Sequence, residues 1–175
     1  NMGKSNFVML DIESDGGLLG ENSMVCFGAV IVEDGLERTF YGKLKPISDT
    51  YNQDALAVSG FTREEHESFD DPKLVMLKFK NWLKENIQGR PVLVSDNNGY
   101  DASWINWYFL KYLGENPFGY SSRRLADIIC GFEKDTYFKW KHLRDTKHTH
   151  HPVDDAKGNA EVLLKYQKKG FKIRL

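Results

Sequence analysis

A short apolar run, Phe7-Val8-Met9-Leu10, stops abruptly at Asp11. The run is too brief for a buried helix and lacks polar alternation, so it reads as a strand covered on both faces. Such a strand needs a layer on each side, so the chain must build a layered core. Its 175 residues suffice for one such domain without disulfide staples. The expected domain spans residues 2–175. Asn1, ahead of Met2, is set aside as a cloning remnant.

The rest of the chain supplies the partners of that strand. Met24 to Val32 and Thr39 to Leu44 flank the turn signal Glu33-Asp34-Gly35, so the first three strands form a meander. Asp70 to Ile87 reads as an amphipathic helix. Asp70 or Asp71 can cap it, Pro72 suits its first turn, and Val75, Phe79, Leu83 and Ile87 form its stripe with Trp82 alongside. Gly89 ends it, and Pro91 to Ser95 is a second buried strand. Asp101 to Leu113 is apolar nearly all round and must sit deep. Leu125 to Cys130 fits a strand or a helix. Asp154 to Lys168 is a last helix with Ala156, Ala160, Leu163 and Leu164 inward. A meander followed by alternating strands and helices gives an α/β fold, a mixed sheet flanked by helices.

Composition excludes several function classes. Lys plus Arg is 24 and Asp plus Glu is 25, a net charge of -1, so the chain is no histone-like binder of nucleic acid. No run of 18 apolar residues is present and the N-terminus has no apolar signal core, so a cytoplasmic protein away from membranes is expected. Cys26 and Cys130 lie far apart and read as two buried free thiols of a reducing compartment.

Candidate chemistry gathers at three places. Asp11 and Glu13, two apart on a strand, point to one face. Same-side carboxylates repel unless a cation holds them, and oxygen donors without thiolate suit Mg²⁺ or Mn²⁺ rather than zinc. A solvated strand end is the plain alternative. Asp101 follows Asn97-Asn98-Gly99-Tyr100, and Asp155 opens the last helix; either could serve as an N-cap. The third place is His148-Thr149-His150-His151-Pro152-Val153-Asp154-Asp155. A zinc site built on these histidines with His142 or Cys130, and a solvated polar loop, both stay open. From Lys134 to His151, basic residues including Lys139, Lys141 and Arg144 interleave with Tyr137, Phe138 and Trp140, and Arg123-Arg124 lie upstream. That mixture suits a phosphate backbone with stacked bases, or a basic loop with its rings turned inward.

D-I-E at a strand end, N-N-G-Y-D before a helix and H-x-x-x-x-D opening the last helix resemble the three motifs of the DEDDh 3′–5′ exonucleases. This ribonuclease H-like group includes ribonuclease T, oligoribonuclease and proofreading subunits. The resemblance runs from residue 7 to about 166, and Ala55 to Thr62 is similar to the family's segment bordering the terminal nucleotide. It implies a ribonuclease H-like sheet and two Mg²⁺ or Mn²⁺ ions. Asp11, Glu13 and Asp155 would bind the first ion. Asp11 would bridge to the second, with Asp101 behind it. His150 would be the general base, since only it reaches an acid, Asp155, at the motif spacing. Ser14 and Phe61 would border the 3′-terminal nucleotide. Ser14 replaces a commoner Thr, and Gly99-Tyr100 is an unusual approach to Asp101. The implied activity is release of nucleoside 5′-monophosphates from single-stranded 3′ ends, RNA or short oligonucleotides ahead of DNA. A DNA-specific exonuclease and a non-catalytic binding module are the rivals. Family members of this size are often homodimers.

Overall fold

The computed structural model describes residues 5–173. Asn1 and the expected domain limits lie outside them. Five strands form one sheet in the order β3-β2-β1-β4-β5. The meander is β1 (Phe7–Ser14), β2 (Met24–Ile31) and β3 (Thr39–Lys43), all antiparallel. On the other side of β1 lie β4 (Val92–Ser95) and β5 (Ser122–Arg124), both parallel to their neighbours. The apolar run of β1 is central, as its composition requires.

Alternation along β1 divides the core. Val8, Leu10 and Ile12 face α3 (Pro72–Asn86) and α4 (Asn98–Leu113), where Phe79, Trp104, Ile105 and Phe109 are buried. Met9 faces α5 (Leu125–Glu133) and α6 (Pro152–Lys168), against Leu125, Ala156, Ala160 and Leu163. Asp11 and Glu13 share the Met9 side.

Several expectations are corrected. Leu125 to Cys130 is helical, and the strand before it is Ser122–Arg124. Helix α4 starts at Asn98 with Asn97 as its N-cap residue, so Asp101 sits inside the first turn and is no cap. Helix α6 starts at Pro152 behind His151, which displaces Asp155 from the cap in the same way. Leu164 is only partly buried, and so is Cys130, while Cys26 is buried as expected. Two short helices, α1 (Gln53–Val58) and α2 (Arg63–Glu67), follow β3. Thr62 and Glu65 form a reciprocal capping box at the start of α2.

Candidate active site

Four carboxylates meet at the carboxyl ends of β1 and β4. The β1 pair, Asp11 and Glu13, stands opposite Gly28 and Cys26 of β2. Gly28 is decisive. A Cβ there would lie 2.5 Å from the Pro152 carbonyl carbon and the Val153 nitrogen. The missing side chain lets the first turn of α6 lie directly on the sheet beside Asp11, which lowers Asp155 onto the β1 pair. One ligand oxygen from each of Asp11, Glu13 and Asp155 lies within 4.8 Å of the others. The β4–α4 connection brings Asp101, 4% exposed, to the same place from the opposite layer.

The cluster is electrostatically costly. Burial, then the Asp101 and Glu13 charges, holds Asp11 well above the usual carboxylate range. Burial, with Asp155 and Asp101, pushes Glu13 up to about 7. Burial also pushes Asp101 up to about 7. Asp11 is half-buried by area, yet its Oδ2 is fully enclosed and has no donor, and Asp155 Oδ2 is in the same position. Enclosed carboxylate oxygens without donors are unfavourable unless a cation supplies the missing charge. The donor set, all oxygen, fits a hard divalent ion.

The three clustered histidines separate by task. His150 adopts a left-handed backbone, φ 62°, and is 53% exposed, with Nδ1 3.9 Å from Glu13 Oε1. A non-glycine residue in that region is held there by its surroundings. His148 turns elsewhere, with Nδ1 3.0 Å from Asp155 Oδ1. The Thr149 N–H donates to that same oxygen at 3.0 Å. His151 is the N-cap of α6, its Nδ1 accepting from Val153 N–H at 3.3 Å, and its ring packs on Tyr41.

Ser14 borders a cleft of about 470 Å³ beside Glu13. Its hydroxyl donates to the Gly16 carbonyl at 2.6 Å, so the contacting Tyr100 hydroxyl must donate to Ser14 Oγ. Asn52, Ala55 and Val58 form the far wall. Behind Ser14, buried Asp15 accepts from Ser23 N–H at 2.6 Å and pairs with Arg63 at 3.1 Å, fastening this wall to α2. Asn52 carries no signal in the sequence; Val58 lies in the Ala55–Thr62 segment already likened to the family's nucleotide-bordering one, and Tyr100 is marked only by its register beside Asp101. Phe61 stands apart from this cleft. It packs edge-on against Phe69 and lines a smaller hollow with Tyr51 and Arg63.

The basic segment divides as well. Lys139 is exposed, and Lys141 is exposed with Asp96 3.2 Å away. Arg144 is 14% exposed, lies 3.7 Å from Asp96, donates to Asn159 Oδ1 at 2.9 Å and covers the Trp140 ring. Its guanidinium is engaged within the fold. Asp127 pairs with Arg124, away from the four carboxylates.

Comparison with known proteins agrees with this geometry. Residues 6–167 match the family described as the 3′–5′ exoribonuclease Rv2179c-like domain. The Escherichia coli protein named 3′–5′ DNA exonuclease Cap18 is 30% identical, the match covering 98% of this chain and 97% of that protein. The nuclease domain of 3′hExo, described as a DEDDh family member bound to rAMP, superposes with a TM-score of 0.79 at 19% identity, covering 99% and 98% of the two chains. Escherichia coli exonuclease I, solved with a dA16 oligonucleotide, gives a TM-score of 0.69 at 16% identity over 93% of this chain and 41% of that one. These superpositions identify the sheet and its helices as the fold of the DEDDh, ribonuclease H-like exonucleases.

Proposed function

The chain belongs to the Rv2179c-like 3′–5′ exoribonuclease domain family, and from that premise we propose a metal-dependent exonuclease acting on single-stranded 3′ ends. It releases nucleoside 5′-monophosphates. One observation carries the metal dependence: Asp11 Oδ2 and Asp155 Oδ2 are enclosed without donors, next to Glu13. Asp11, Glu13 and Asp155 would hold one ion, and Asp11 with Asp101 a second. When bound, two Mg²⁺ or Mn²⁺ ions supply positive charge to the phosphate being cut and to the leaving oxygen.

The chain's own residues do the rest. His150, whose left-handed turn leaves Nδ1 3.9 Å from Glu13 Oε1, would take the proton of the attacking water. Ser14 and Tyr100 form one wall of the cleft that receives the terminal nucleotide, and Val58 offers it an apolar face. Phe61, in the adjoining hollow, borders the next part of the strand. Lys139 and Lys141, the exposed cations of that segment, would supply charge for backbone phosphates that a net charge of -1 lacks overall, while Arg144 stays engaged within the fold. Among the described residues no helix is long and apolar enough to cross a membrane, and both thiols are free, which suits the cytoplasm.

RNA or short oligonucleotides are the first substrate class, in line with the family's description as exoribonucleases. DNA is the second reading, favoured by the name of the Escherichia coli relative. Degradation of 5′-labelled RNA and DNA of equal sequence, with Mn²⁺ and with EDTA, tests both. The expected result is a ladder shortening from the 3′ end, faster for RNA, and none in EDTA. Faster loss of DNA would select the second reading. No shortening of either strand in Mn²⁺ would contradict the assignment.

A further inference from the structure

His148 is the one histidine of its cluster with no task in this reaction. It lies outside the H-x-x-x-x-D spacing and does not cap α6. Yet its Nδ1 is 3.0 Å from Asp155 Oδ1, and its ring meets that of His150 edge-on at 4.3 Å between centroids. One ligand atom from each of His148, His150 and Asp155 lies within 4.8 Å of the other two. We infer that these three residues form a second cation site, selective for a borderline metal such as Zn²⁺, and that filling it withdraws the His150 ring from the reaction. The inhibitory part rests on the reading of His150 as the general base.

The donor chemistry separates the two sites. Asp11, Glu13 and Asp155 offer oxygen alone, which suits Mg²⁺ or Mn²⁺. Two imidazoles and a carboxylate suit Zn²⁺ or Co²⁺, and three protein ligands with an open position are a familiar zinc arrangement. Ligands about 2.0–2.1 Å from a tetrahedral centre stand about 3.3–3.4 Å apart, so the His148–Asp155 edge is nearly of the right length already. His148 and His150 are 49% and 53% exposed, so rotation of their rings can close the other edges. Asp155 is the residue that the two sites share. It is 4% exposed and Oδ2 has no partner, while Oδ1 faces His148 and accepts from Thr149 N–H. Asp155 thus has one oxygen for each site.

Zn²⁺ captured there occupies a ring nitrogen that would otherwise act on water. Hydrolysis should stop although the hard ion stays in place. The test is a Zn²⁺ titration in excess Mg²⁺, followed by the imidazole NMR signals and by rate. Zn²⁺ should shift the ring signals of both His148 and His150 and abolish turnover, while Mg²⁺ alone shifts neither ring in this way. His148→Ala should keep near wild-type turnover in Mg²⁺. Its inhibition should need at least about tenfold more Zn²⁺, because loss of a ligand exceeds the 10–100-fold cost of losing a supporting contact. Equal Zn²⁺ inhibition of His148→Ala and the wild type, or an unmoved His148 ring, would overturn the site. The base reading fails separately, if His150→Ala turns over normally in Mg²⁺; the ring shifts would still decide whether Zn²⁺ binds.

Discussion

Within four residues the chain assigns three imidazoles to three different surroundings, and substitution should separate them. His150→Ala removes the ring above Glu13, so kcat should fall about 10²–10⁴-fold while metal and substrate still bind. His148→Ala should retain most activity in Mg²⁺. His151→Ala also spares the rate, but it deletes the acceptor for Val153 N–H at the start of α6. Loss of a helix cap costs about 1 kcal/mol, equivalent to about 2–4 °C in a chain of this size. Steady-state rates and melting curves of the three variants check this pattern. A dead His151→Ala with an active His150→Ala would contradict the reading of His150 as the base. The resemblance's H-x-x-x-x-D spacing singles out His150 in the sequence, and the fold brings that ring near Glu13. The cap at His151 is not legible, because an imidazole acceptor is rare at that position and the helical pattern of α6 is recognisable only from Asp154.

At the scale of elements, the site depends on how closely α6 lies on β2. Gly28→Ala is the sharpest probe, since its methyl would meet backbone atoms of Pro152 and Val153 rather than a movable side chain. Overpacking of this kind costs about 1–3 kcal/mol, and the first turn of α6 must lift Asp155 away from Asp11. Both melting temperature and activity should fall, with activity lost out of proportion to stability. A variant with full activity would mean that the close approach is not required. The run Phe7 to Leu10 gave away β1 because a strand covered on both faces must be apolar throughout, and the Asp11–Glu13 pair was legible from strand geometry alone. Strand β5 was hidden, since Ser122-Arg123-Arg124 is an edge strand whose only structural signal is backbone pairing with β4. The true start of α4 was hidden too. Asn98 to Tyr100 carries no apolar stripe, so Asp101 passed for the cap. Helix α2 could have been found, because Thr62-Arg63-Glu64-Glu65 has the capping-box spacing.

Over the whole molecule, the acid cluster makes stability and catalysis answer to the same ions. Asp11, Glu13 and Asp101 all bind protons more tightly in the fold than in the unfolded chain, the latter two with values of about 7. Buried His66 does the opposite, its value lowered to about 4 mainly by desolvation. Between pH ~5 and pH ~7 the folded chain gains protons on three carboxyls and forgoes one on His66, so these groups leave it with the larger number bound. Stability therefore rises as pH falls through this window and is lost as pH rises. Metal-free protein should melt at a higher temperature near pH 5 than near pH 8, and saturating Mn²⁺ should raise the pH 8 value most. A metal-free melting temperature that rises with pH would contradict this balance. The central claim is that these carboxylates bind the ions that cut nucleic acid from its 3′ end. The most direct measurement is a Mn²⁺ time course on a 5′-labelled single strand with wild type and Asp11→Asn side by side, folding of both checked by circular dichroism. The expected result is a ladder shortening from the 3′ end with the wild type and an intact strand with the folded variant. An Asp11→Asn protein that degrades the strand at the wild-type rate would contradict the account.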